Sequence, residues 1–318
     1  MRRPRFFSMV DEYSAARVSL GFVRSTQLEA LLGDFVHFAR RERHAGPITV
    51  DLVIRWVSSR PTASKEATVG WFAGVRGFAK YVAAFEEGTE IPPSGLLRRR
   101  YVRKSPHIYS DAEVADLLRV LSRVTPEGGL RPHMYVTLFS LLAATGLRLR
   151  EALRLRLRDV DLRAGVLTIR QTKFRKDRLV PLDPTALPPL RRYLALRARA
   201  PISIRSDAFF VTDLCPCVDG HMVEVLFQRM RKDLGWTAAG RVRLPRIHDL
   251  RHTFVVRRLL RWYEAGIDAE AMVPHLSTYL GHVQVHDTYW YVTGIPELMR
   301  AAARRAETFD LPGEERAS

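Results

Sequence analysis

The chain has 318 residues, enough for two cores, and 47% of them are hydrophobic. Its 51 Lys and Arg against 34 Asp and Glu leave a net charge of +17, an excess that attracts polyanions, nucleic acid above all. No apolar run approaches the ~20 residues of a membrane span, the start MRRPRFFSMVDEYS lacks the apolar core of a secretory signal, and Cys215 and Cys217 are too few and too close for a disulfide framework; the expectation is a cytoplasmic protein.

Residues 1–94 read as a helical domain. Thr26 is placed to cap a helix with Leu28, Leu31, Leu32, Phe35 and Phe38 on one face. Thr49 starts a second, through Leu52, Val53 and Trp56. Ser64 precedes a third, in which Val69, Phe72, Val75, Phe78, Val82 and Phe85 recur at helical spacing. Aromatic residues so spaced suit a core better than a base-stacking surface. Residues 95–108 read as a linker. Pro92, Pro93, Gly95 and Pro106 break the helical pattern, and Arg98, Arg99, Arg100, Arg103 and Lys104 come without one acid. Such a run is either a solvated loop or a strap along a phosphate backbone.

Residues 109–318 read as a second, mixed domain. Ser110-Asp-Ala-Glu113 forms a capping box before Val114, Leu117, Leu118 and Leu121, and a helix follows over 133–144. GVLTIR (165–170) and RLVPL (178–182) read as strands joined by QTKFRKD, a hairpin whose basic tip holds Lys173, Arg175 and Lys176. Helices resume over 186–199, 220–234, 247–264 and 268–280, and an amphipathic segment over Pro296–Phe309 is placed to dock on a neighbouring protomer or on its own domain. The fold class is therefore mainly α with a small β-sheet. Asp159 and Asp161 mark a turn before the first strand rather than a metal pair. Cys215-Pro-Cys217 with His221 lacks a fourth ligand and zinc spacing, so no metal is expected.

Four islands hold groups suited to a phosphodiester. ATGLRLRE (144–151) sets Arg148 after a glycine turn with Glu151 behind it. Lys173 occupies the hairpin tip. HDLRH (248–252) puts His248, Arg251 and His252 on one helical turn. STYLGHVQVHDTYWYV (277–292) carries His282 with Tyr279, Tyr289 and Tyr291. Each alone has an ordinary explanation: a surface arginine, a satisfied core histidine, an ion-paired glutamate. In this order, with a tyrosine nine residues after the LGH histidine, they resemble the tyrosine recombinase (phage integrase) family over 110–292. The first domain and basic linker are similar, less specifically, to that family's core-binding domain.

The resemblance implies a site-specific recombinase or integrase, of the mobile-element type to judge by HDTYWYVTGIPELM, that cuts and rejoins duplex DNA through a 3′-phosphotyrosine. By motif, Arg148, Lys173, His248, Arg251, His282 and Tyr291 are the catalytic candidates, and Glu151 and His252 support them. DNA-binding candidates are Arg98, Arg99, Arg100, Arg103, Lys104, Arg175 and Lys176. Thr172 stands where the family often has glycine, which keeps Lys176 as a lesser candidate for the lysine role. The stretch from Arg251 to His282 is longer than in compact members and contains Pro274. A homo-tetramer on paired sites, accessory or sister recombinases, and no cofactor are also implied. The alternatives are a type IB topoisomerase-like enzyme and a non-catalytic DNA-binding accessory protein.

The chemistry accounts for these residue types. A phenol with a pKa near ~10 is a poor nucleophile at neutral pH. Attack on a phosphodiester spreads charge over oxygens that forked arginines can hold, each such contact typically worth about 3–4 kcal/mol. A hairpin lysine can protonate the departing 5′ oxygen. Tyr289 and Tyr291 lie two apart, so on a helix they diverge by about 200° and cannot serve one phosphate equally. Spacing from His282 selects Tyr291, which leaves Tyr289 and Trp290 to anchor the segment and Tyr279 to pack on the core.

Overall fold

A computed structural model describes residues 4–60, 65–96, 106–126, 128–170, 177–200, 206–213, 215–237, 244–281, 288, 289 and 291. The chain divides into two units, Met1–Val102 and Arg103–Ser318. The first is built from α1 (Met9–Ser19), α2 (Thr26–Arg41), α3 (Val50–Ser58) and α4 (Lys65–Val82), preceded by a 3-10 turn, Arg5–Ser8. Their apolar faces meet around Phe6, Phe35, Trp56, Phe72 and Phe78. The Trp56 indole, wholly buried, donates to Asp34 Oδ2 at 2.9 Å, so its one polar atom is satisfied.

Two expectations for this unit need correction. Ser25, not Thr26, caps α2: its backbone is extended and its side chain accepts from the Leu28 amide, whereas Thr26 is already the first helical residue. Val69 and Phe85 are exposed. The buried stripe of α4 is carried by Phe72, Val75, Phe78, Ala79 and Val82, and the helix ends at Val82, before the periodicity reaches Phe85. Thr49 does cap α3, accepting from the Leu52 amide. Ser64 and the linker cations Arg98, Arg99, Arg100, Arg103 and Lys104 lie outside the described residues.

The second unit is organised around α6 (Leu130–Thr145), which packs against α5 (Asp111–Leu121), α8 (Leu187–Arg199) and α10 (Asp249–Glu264). Leu130, Met134, Tyr135, Leu138, Phe139, Leu141 and Leu142 are buried on several sides of α6, as suits a central helix. Both bonds of the Ser110–Glu113 capping box form at the start of α5. The short α7 (Leu149–Leu153) follows α6, then strands β1 (Val160–Asp161), β2 (Val166–Ile169) and β3 (Arg178–Pro181), with α9 (Gly220–Asp233) and α11 (Ala269–Leu280) completing the unit. The residue pattern is met: the described residues are mainly helical with one small antiparallel sheet, ordered β1-β2-β3.

In the sheet, Leu167 pairs with Val180 and Ile169 with Arg178. Leu167, Ile169 and Val180 face the core while Leu179 points outward, the period-two alternation of a strand covered on one side. The aspartates do mark turns ahead of the hairpin: Asp159 ends a 3-10 turn, and Asp161 accepts from the Arg163 and Ala164 amides just before β2. Val160–Asp161 is in addition a short strand paired to β2. Asp159 is buried and accepts from Arg170 Nε at 2.7 Å. A second cluster joins α10 to α11 through Phe254, Val255, Leu259, Val273, Leu276 and Leu280, and Tyr291 is part of it. Pro274 is accommodated within α11.

Candidate active site

The site begins with two glycine turns. Gly146 ends α6 with φ +63°, and an added Cβ there would lie 2.7 Å from the Phe254 ring. Gly281 ends α11 with φ +68°, and its Cβ would meet the Arg178 guanidinium at the same distance. Both positions thus require a left-handed backbone and a close approach, which only glycine supplies without strain. Each turn delivers carbonyl oxygens that the helix itself leaves without partners.

Three arginines use them. Arg178 donates through Nε to the Tyr279 carbonyl at 2.9 Å, Arg251 through Nη2 to the Leu280 carbonyl at 2.9 Å, and Arg148 to the Gly281 carbonyl at 3.4 Å. Three consecutive carbonyls at the negative end of α11 therefore hold three guanidinium groups, the placement that the helix dipole favours. Arg251 also donates to the Gly146 carbonyl at 2.8 Å, so it ties the two glycine turns together. It is 2% exposed, and burial together with the like charge of Arg148 lowers its pKa to about 9, Glu151 and Tyr291 compensating only in part. That is still above neutrality, and the group stays cationic.

Glu151 binds two of the three. Its carboxylate accepts from Arg148 Nη1 at 2.8 Å, from the Arg148 amide at 3.1 Å, and from Arg178 Nη2 and Nη1 at 2.8 and 3.2 Å. Burial by itself would raise its pKa, but the bonds and charge of Arg178 and then Arg148 prevail and hold it down to about 2. The ion-paired glutamate that the sequence allows is thus formed with two partners, Arg148 and Arg178. Arg178 was missed. Its only sequence signal is a charged residue opening a strand whose other members are apolar.

The HDLRH turn starts α10. His248 is the residue before the helix; Asp249, Arg251 and His252 are buried within its first turn. One edge of His248 is open to solvent although protein surrounds most of the ring. That crowding, with the charges of Arg251 and Arg246, lowers its pKa to about 4. Water at the open edge tempers the effect, so the direction is what matters: His248 is neutral at pH 7. His252 stands perpendicular to it, ring centroids 5.0 Å apart.

Tyr291 meets this turn directly. Its Oη lies 2.6 Å from His252 Nδ1, and the residue is 3% exposed. Tyr289 is 41% exposed and does not anchor the segment as expected from sequence; two residues apart on helical backbone, the pair faces opposite ways and the core takes Tyr291. Tyr279 stacks on Phe254 at 5.6 Å, and burial raises its pKa to about 12. The structure thus brings together Arg148, Glu151, His248, Arg251, His252 and Tyr291. Lys173, Arg175, Lys176, His282 and Trp290, and the segment Pro296–Phe309, lie outside the described residues. Among the described residues no His, Cys, Asp and Glu cluster could hold a metal ion, and no helix is long and apolar enough to cross a membrane.

Residues 112–295 match the model of the phage integrase family. The integrase/recombinase y4rB of Sinorhizobium fredii is 42% identical over 308 residues, covering 95% of this chain and 97% of the relative. The integrase/recombinase y4rE of the same organism is 36% identical, covering 93% and 94%. Among solved structures, the Tn1549 transposon integrase in complex with transposon right end DNA aligns with a TM-score of 0.66 at 15% identity, over 94% of this chain and 99% of that one. The XerH recombinase bound to a palindromic difH substrate aligns at 0.65 and 18%, over 95% and 85%. At those identities the likeness is one of fold. With the family model spanning more than half of the sequence and close relatives spanning nearly all of it, the chain belongs to the phage integrase family, the tyrosine-type site-specific recombinases.

Proposed function

We propose that this recombinase cuts DNA by attack of Tyr291 on a phosphodiester held by Arg148 and Arg251, and that it serves the integration of a mobile element. The observation that carries the reading is the burial of one tyrosine hydroxyl against the same helical turn that supplies Arg251, with Arg148 fixed to the adjoining end of α11. The two guanidinium groups donate to the non-bridging oxygens as charge develops there, with His282 as a further donor. Neutral His248 hydrogen-bonds the phosphate. Glu151 aims Arg148, and Lys173 protonates the leaving 5′ oxygen, with Lys176 the lesser candidate. The product is a 3′-phosphotyrosine and a 5′ hydroxyl, and attack by another strand's hydroxyl reverses the step without metal or ATP.

Duplex DNA is the partner, gripped by the linker cations Arg98, Arg99, Arg100, Arg103 and Lys104 and by Arg175 and Lys176 at the hairpin. The chain acts as a helical core-binding domain (1–94), a basic linker (95–108) and a catalytic domain (109–318). Strand exchange needs two protomers at each crossover site, hence a homo-tetramer on paired DNA, with accessory or sister recombinases as further partners. The reaction takes place in the cytoplasm, where such DNA is reached.

Covalent capture tests the reading. A library of nicked duplexes with a randomised core, in which cleavage releases a short strand and traps the enzyme, is incubated with the protein and the adducts are sequenced. Recovery of a preferred site through Tyr291 supports a recombinase, and strand exchange between two copies of that site separates it from a topoisomerase-like enzyme. DNA binding with no adduct would leave only the accessory-protein reading.

A further inference from the structure

We propose that His252 is a catalytic residue: it accepts the Tyr291 proton through Nδ1 as the phenol attacks phosphorus. The inference rests on the reading of Tyr291 as the nucleophile. Tyr291 Oη lies 2.6 Å from His252 Nδ1, with ring centroids 5.4 Å apart. Tyrosine and histidine are 3% and 7% exposed, so the hydroxyl has left bulk water for an imidazole nitrogen. A phenol of pKa near ~10 is only about one part in a thousand ionised at pH 7. A positioned acceptor removes that deficit in the transition state rather than before it.

The surroundings suit a base rather than a mere wedge. With Nδ1 accepting, the other ring nitrogen carries hydrogen, and that Nε2 lies 3.9 Å from Asp249 Oδ1. Asp249 is fully buried and is fixed by the Arg246 amide and guanidinium, each at 2.8 Å. An imidazolium formed at His252 thus has a held carboxylate on its far side, too distant for a hydrogen bond but close enough to stabilise the charge. His248, on the same turn, is exposed and is the imidazole assigned above to the phosphate. The two imidazoles divide the work: one faces phosphate, the other holds the nucleophile.

In the step, the Oη–H proton passes to His252 Nδ1 while an oxygen lone pair forms the O–P bond. The bond from phosphorus to the 5′ oxygen breaks, and that oxygen takes its proton from the general acid assigned to Lys173. On reversal the imidazolium returns its proton to the tyrosine oxygen. Charge and protons balance without a further reactant.

The test measures single-turnover adduct formation on a nicked duplex carrying the captured site. His252→Asn and His252→Gln should retain DNA affinity but form adduct about 100-fold more slowly. With 3,5-difluorotyrosine installed at position 291, whose phenol ionises more readily, the same substitutions should cost less than about tenfold. An equal loss with both phenols, or full rates in the variants, would overturn the proposal. Should the variants fail to fold, nitrogen-15 NMR of the unaltered chain decides: an Nδ1 without hydrogen that responds to Tyr291→Phe is expected, and a protonated Nδ1 refutes it. Failure of the unaltered chain to form any adduct would instead defeat the nucleophile reading.

Discussion

Tyr291 and Tyr289 differ by two positions and by nearly all of their accessible surface, 3% against 41%. Tyr291→Phe removes one oxygen and little packing, so it should abolish the covalent adduct while DNA affinity persists; Tyr289→Phe should leave adduct formation intact. Mass spectrometry of the trapped peptide checks both, and an adduct on Tyr289 would reverse the assignment. Glu151 gives a prediction in pH. Its folded pKa of about 2 lies below the ordinary carboxyl value of 4.5, because Arg178 and Arg148 outweigh its burial. The unfolded chain therefore binds the proton more readily, and the stabilisation is complete above about pH 4.5 and is lost as pH falls towards 2. With both partners' side chains on the Arg178 side only 10% exposed, the loss is on the order of 3 kcal/mol. Urea unfolding as a function of pH should show this acid limb, and Glu151→Gln should flatten it.

At the scale of elements, the carbonyl end of α11 organises the arginines, and β3 reaches it through Arg178. Arg178→Ala strips one partner from a nearly buried carboxylate and should destabilise by about 3 kcal/mol, the low end for such pairs because Arg148 remains. Gly281→Ala should cost about 1–2 kcal/mol from its left-handed backbone and should also displace Arg178. In both variants adduct formation should fall further than DNA affinity, since Arg148 loses its alignment. Binding and cleavage assays on the same duplex separate the two effects. The β2–β3 hairpin provides a second case. Lys173→Ala should cleave ordinary DNA poorly and recover on a 5′-bridging phosphorothiolate, whose sulfur leaves without a proton. Rescue confined to Lys176→Ala would move the acid role to that residue.

For the whole molecule, a net charge of +17 and an acid-free basic linker predict binding dominated by counterion release. The logarithm of the binding constant should fall steeply with the logarithm of salt, by ~0.9 for each phosphate neutralised. Replacing Arg98, Arg99, Arg100, Arg103 and Lys104 together should reduce the slope by up to about 4.5 and leave thermal unfolding unchanged. Fluorescence anisotropy across a salt series measures it, and an unaltered slope would remove the linker from the DNA-binding surface.

The sequence by itself determined the features that depend on near neighbours along the chain. Helical spacing located the buried faces of α2 and α3, reciprocal bonds three residues apart marked the start of α5, and two short apolar runs flanking the basic QTKFRKD marked the hairpin. The ordered motifs also named Arg148, Glu151, His248, Arg251, His252 and Tyr291, because each sits in a short pattern with its own local chemistry. Tertiary structure decided what these groups touch. Arg178 reaches a carbonyl 101 residues away, Arg148 one 133 away, and Arg251 one 105 away. No local periodicity encodes such pairings; they follow from where the glycine turns at 146 and 281 direct the ends of α6 and α11. The contact of Tyr291 with His252 is of the same kind, since it required α10 and the tyrosine segment to share one core. Spacing could nominate a tyrosine, but only packing could bury one and expose the other.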